Sequence, residues 1–93
     1  MLFHVTARHT FDQCGMYNPD IQKDLQAFLP SIQQLCKEHS VKLHYVVTGH
    51  PDHVFYILVE AEDSGSLCSV LTAIPMQQEF DIKPVRFLGV DQF

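Results

Sequence analysis

The stretch that decides the fold is "HVFYILVEA", residues 53–61. Its β-branched and aromatic content reads as a strand. Phe55, Ile57 and Val59 point one way while Val54, Tyr56 and Leu58 point the other, so neither side is polar. Such a strand belongs in the middle of a sheet with something covering each face. The chain on either side says what does the covering.

Immediately upstream, "VKLHYVVTG" (41–49) alternates as a second strand, with Val41, Leu43, Tyr45 and Val47 expected on one side. Between the two strands lies "HPDH" (50–53). Pro is favoured at the second position of a type I turn, whose first and fourth Cα atoms lie within about 7 Å. The N-terminal "LFHVTARH" (2–9) alternates too, Phe3, Val5 and Ala7 against His4, Thr6 and Arg8. A loop follows, closed by Asn18-Pro19-Asp20, which places Asn at a helix N-cap and Pro at the first helical position. Ile21, Leu25, Phe28, Leu29, Ile32, Leu35 and Cys36 then recur at helical spacing. Pro30 should kink that helix or divide it in two, and His39-Ser40 ends it. Downstream, Asp63 and Ser64 cap a second helix whose stripe is Leu67, Val70, Leu71 and Ile74, with Pro75 as its stop. The last strand, "FDIKPVRFLGV" (80–90), carries Pro84, which cannot donate to a ladder and so prefers a sheet edge.

The order is β-α-β-β-α-β. Two right-handed crossovers turn it into a four-stranded antiparallel sheet ordered 4-1-3-2 with both helices on one face, the ferredoxin-like α+β sandwich. Residues 1–93 then form one such domain, since a chain of 93 residues has no room for a second core. Strand three falls in the middle and Pro84 on an edge. The face without helices carries Val54, Tyr56 and Leu58, and Val46 and Leu88 are expected to extend it. A large uncovered apolar patch marks an interface, so the expected assembly is a homodimer with two sheets packed face to face.

Composition narrows the partners. Net charge is −5 with scattered basic residues, whereas phosphate backbones need a basic stripe, so nucleic acid is not expected. Cys14, Cys36 and Cys68 form neither a disulfide framework nor a CxxC pair. With no signal-peptide pattern and no bilayer-length apolar run, no membrane is expected and a cytoplasmic, reduced setting follows. Strand three lacks the basic and Gly-aromatic pattern of an RNA-recognition domain. "FDQCGMY" holds one cysteine where a soft-metal chaperone needs a pair. "HTFDQCGMYNPD" lacks the Gly-rich cradle and arginine of an acylphosphatase-like site.

The opening "MLF-V---HT" over residues 1–10, the "H-FY-LVEAED" segment over 53–63, the element order and the apolar third strand together resemble the dimeric α/β-barrel proteins. That resemblance implies two facing sheets. It also implies a range of activities that includes cofactor-free monooxygenases, muconolactone isomerases, haem-degrading enzymes, stress-induced barrels and ligand-sensing domains. Fold alone does not choose among them.

Topology gathers candidate site residues. Strands one and two run parallel on either side of strand three, so His9 ends beside the 49–53 hairpin, and the loop leaving it brings Asp12 and Cys14. His9, Cys14, His50 and His53 therefore collect at one end of the sheet. Imidazole and thiolate suit zinc, copper or iron, and an incomplete protein set leaves an open position. Without a metal, His9 or His53 is a candidate acid or base. His9 stands at the mouth of any pocket between sheet and helices, with Tyr45 deeper and Met16 and Tyr17 as candidate covers. On the opposite face lie His4, Thr6, Arg8, Lys42, His44, Glu60 and Arg86. They read either as a solvated, dimer-lining surface or as an anion-binding lumen with Arg8 and Arg86 as donors. Cys36 and Cys68 read as small core residues. Two functions fit: a homodimeric small-ligand-binding or accessory module, and a small metal-assisted or cofactor-free enzyme, monooxygenase- or isomerase-like, at the His/Cys rim.

Overall fold

A computed structural model describes residues 1–49 and 51–89. Strand β1 spans Leu2–Arg8, and a 3-10 turn (Phe11–Gln13) leads to α1 (Pro19–Phe28). A second 3-10 turn (Leu29–Ser31) joins α1 to α2 (Ile32–Glu38). Strands β2 (Lys42–Gly49) and β3 (Val54–Glu60), helix α3 (Ser64–Leu71) and strand β4 (Glu79–Val85) follow. The four strands form one antiparallel sheet ordered β2-β3-β1-β4, the ferredoxin-like order expected from the sequence. Pro84 falls on the edge strand β4, opposite Phe3. Among the described residues no helix is long and apolar enough to cross a membrane.

The helix boundaries follow local chemistry. Asn18 accepts hydrogen bonds through its side chain from the backbone N–H groups of Asp20 and Ile21, with Pro at the start of the helix. Pro30 has no N–H to continue the ladder, and the chain tightens there into the 3-10 turn before resuming as α2. Helix α2 ends in a Schellman arrangement: the Val41 N–H donates to the Cys36 carbonyl and the Ser40 N–H to that of Lys37. Ser40 takes a φ of 55°, the left-handed conformation usually given to glycine. Ser40→Gly is therefore expected to stabilise the protein by about 0.5–1 kcal/mol, read as a thermal midpoint roughly 3–6 °C higher. An unchanged or lower midpoint would contradict the strain assigned to Ser40. At α3, the Asp63 carboxylate accepts from the Ser66 N–H at 2.7 Å, which holds its pKa below the ordinary carboxylate value. The helix stops at Leu71, before Pro75 is reached.

The core lies between the sheet and the helices. Phe3, Val5, Cys36, Val41, Ile57, Val59, Ala61, Leu67, Val70 and Leu71 are its buried members. Val5, Val59 and Leu67 are almost completely removed from solvent.

One feature of β2 moves side chains across the sheet. Leu43 pairs with Val59, yet Tyr45 pairs with Leu58 and Val46 with Ile57, a β-bulge at His44. Beyond it every residue changes face. Tyr45 and Val47 therefore join Leu58 and Tyr56 on the open side, and Val46 turns towards the helices, opposite to the alternation read through this strand. Cys68 also departs from expectation: it is exposed on α3, while Cys36 is buried.

Candidate functional site

Three of the residues gathered by topology do meet. One ligand-capable atom each from His9, Cys14 and His53 all lie within 4.8 Å of one another. Backbone bonds set this convergence. His9 directly follows β1, and its N–H donates to the His53 carbonyl at 3.1 Å, tying the end of β1 to the turn before β3. Cys14 is held by the 3-10 turn, its N–H donating to the Phe11 carbonyl. Its own carbonyl accepts from the N–H groups of Tyr17 and Asn18, so the loop is folded onto α1. Gly15 sits close against α1: a Cβ there would lie 3.3 Å from Leu25 Cδ1. His50 lies outside the described residues.

The surroundings are apolar and aromatic. His9 packs on Phe55 with ring centroids 5.4 Å apart and meets His53 edge-on at 5.3 Å. Phe11 and Tyr17 stack at 4.5 Å and lean together over His53. Tyr17 was anticipated as a cover, whereas Phe11 was not singled out. Its signal was the aromatic pair bracketing the loop, legible only once the loop closes. Both nitrogens of the His9 ring are shielded from solvent and lack a hydrogen-bond partner. Burial, and secondarily the neighbouring His53, lower the pKa of His9 below the ordinary imidazole value. The ring is thus biased to its neutral form, the form that can share a lone pair.

His9, Cys14 and His53 line a cleft of about 350 Å³ together with Tyr17, Leu25 and Phe55. Leu25 and Phe55 also line a second cavity of about 260 Å³ between sheet and helices. Among the side chains lining that cavity are Phe28, Ile32, Val46, Ile57, Leu67 and Met76. The polar mouth and the apolar interior therefore share walls.

Other candidates are dispersed. The bulge carries Tyr45 to the open face, 41 % exposed, so it is no part of the pocket behind His9. Arg8 pairs with Glu79 at one end of β1, while Arg86 follows Val85, the partner of Leu2 at the other end. Within one chain the two guanidinium-bearing residues lie roughly 20 Å apart along the strands, and they do not share one anion site. The open face holds a different polar pair instead, His44 Nε2 and Glu60 Oε1 at 2.9 Å. No protein-family model matches the chain, and no curated protein matches it.

Proposed function

We propose that the protein is a homodimeric small-molecule-binding module, with two open sheet faces packed together as in the dimeric α/β-barrel architecture. Each protomer holds its ligand between sheet and helices. The observation that carries this reading is the apolar cavity of about 260 Å³ that shares Leu25 and Phe55 as wall residues with the imidazole-lined cleft. An apolar cavity of about 150 Å³ already takes benzene, so this one suits a substituted single ring or a short branched chain. The adjoining histidines suit a polar or ionisable group on the same molecule. The matching ligand class is a small, mainly apolar compound with one polar end.

The open face supports the assembly. Tyr45, Val47, Val54, Tyr56 and Leu58 form a continuous apolar surface across β2 and β3, and Val47 is 51 % exposed in the single chain. Such a patch is larger than scattered surface hydrophobes and is best covered by its own symmetric copy.

The test is thermal denaturation against small aromatic and aliphatic acids, alcohols and ketones. A matching compound at a hundred times its Kd stabilises by about 2.7 kcal/mol, several degrees in midpoint. Val46 lines the cavity yet is 46 % exposed, so Val46→Trp fills the space with little disturbance of the core. That variant is expected to fold and to lose the response. No stabilisation by any class, or an equal response in Val46→Trp, would overturn the reading. A second reading, a small metal-assisted or cofactor-free enzyme at the same rim, is favoured by one feature: the unpartnered nitrogens of His9 beside His53. Turnover of a stabilising compound, lost in His9→Gln, would select it over simple binding.

A further inference from the structure

We infer that His9, Cys14 and His53 form a binding site for a single transition-metal ion, zinc in the first place. The inference stands apart from the small-molecule reading and needs neither the dimer nor an organic ligand.

Three observations converge. The first is the donor set itself. Two imidazoles and one thiolate are of intermediate softness and suit zinc, which favours tetrahedral nitrogen and sulfur coordination. The second is spacing. Zinc bonds of about 2.0–2.3 Å place tetrahedral donors roughly 3.3–3.6 Å apart. The three donor atoms lie within 4.8 Å of one another, so each separation exceeds the bonded spacing by no more than about 1.5 Å, within the reach of side-chain rotation. The frame beneath them is already tied by the His9 N–H to His53 carbonyl bond and by the turns around Cys14. The third is an unmet need. Both ring nitrogens of the half-buried His9 are shielded and unpartnered, and a shielded polar group left so costs about 1–3 kcal/mol. A metal bound through one nitrogen removes the penalty at that nitrogen and gives the ring a reason to be where it is.

The three come from different elements: the end of β1, the following loop and the turn before β3. A random surface pairing of histidines rarely adds a buried cysteine from a third segment. Cys14 is 7 % exposed, and its side chain lines the same cleft as both rings. Three protein donors leave a fourth position open, and the shared cleft is where it opens. That is the arrangement of zinc sites that bind an exchangeable water or anion, and not of closed structural sites.

The test uses the untagged protein, demetallated with chelator and titrated with zinc and with cobalt(II) as a spectroscopic probe. One equivalent of cobalt is expected to give the intense visible bands of a tetrahedral ion and a thiolate-to-cobalt charge-transfer band in the near ultraviolet. Zinc should displace it with the same stoichiometry. Cys14→Ser should lose the charge-transfer band, whereas Cys68→Ser should keep it. Loss of an outer-shell partner already weakens metal binding about 10–100-fold, so His9→Gln or His53→Gln should cost at least ~100-fold. Circular dichroism checks that each variant folds, and the wild-type spectrum decides the matter even if one does not. Absence of a tetrahedral cobalt spectrum in the wild type overturns the inference. So does a charge-transfer band that survives in Cys14→Ser.

Discussion

Leu58→Glu is expected to convert the proposed dimer to a monomer. Leu58 lies in the middle of β3, opposite His4 on β1 and Tyr45 on β2, with its side chain on the face away from the helices. In the single chain it is only half-buried, so a carboxylate there stays hydrated and the fold tolerates it. Between two packed sheets the same carboxylate would lose its water. An unpaired charge in such a place costs about 3–5 kcal/mol, which weakens dimerisation by roughly 10²–10³-fold or more. Symmetry compounds the effect, because each copy brings its own carboxylate to a chain already carrying a net charge of −5. Light scattering on the column eluate, at matched micromolar concentrations, reads the mass directly. A single-chain mass for the wild type would end the dimer proposal, and an unchanged dimeric mass for Leu58→Glu would move the interface elsewhere.

Leu67→Ala carries the second large effect. Leu67 on α3 is 1 % exposed and packs in the cluster with Val5, Val59 and Val70. Leu to Ala in a core costs about 2–5 kcal/mol, with the higher values where the site cannot collapse onto the space left. Leu67 also lines the apolar cavity, so its removal enlarges an existing void whose sheet wall cannot follow. The upper half of that range is therefore expected, about 3.5–5 kcal/mol. For a chain of this length total stability is only about 5–14 kcal/mol. Chemical denaturation at fixed protein concentration should show a much lower midpoint with little change in slope. A cost below about 1 kcal/mol would mean that α3 is not anchored through Leu67. A small apolar ligand that fills the enlarged cavity should restore part of the loss, which links this measurement to the proposed function.

How much of the molecule was readable in its sequence can be judged from particular residues. Asn18-Pro19 announced α1 because an N-cap acceptor and a proline at the first position are local chemistry. Pro30 announced the break between α1 and α2 for the same kind of reason. The apolar third strand and the edge proline at position 84 led to the order β2-β3-β1-β4, since handed crossovers leave few other arrangements. From that order alone His9, Cys14 and His53 could be placed at one end of the sheet, and there they meet.

What the tertiary structure alone decided depends on pairing between segments. The bulge at His44 is a property of how β2 seats on β3, with no marker in "VKLHYVVTG" itself. Because side chains alternate with period two, one extra residue sends Tyr45 out of the pocket and Val46 into its wall. Cys68 lies beside an apolar stripe in sequence, but α3 buries Leu67, Val70 and Leu71 and leaves Cys68 exposed. The stacking of Phe11 on Tyr17, and the lack of hydrogen-bond partners at the His9 ring nitrogens, arise only when the loop closes over the histidines. Local propensity and topology determined which residues could meet. Register and loop closure decided which faces they share, because those are set by contacts that no single segment contains.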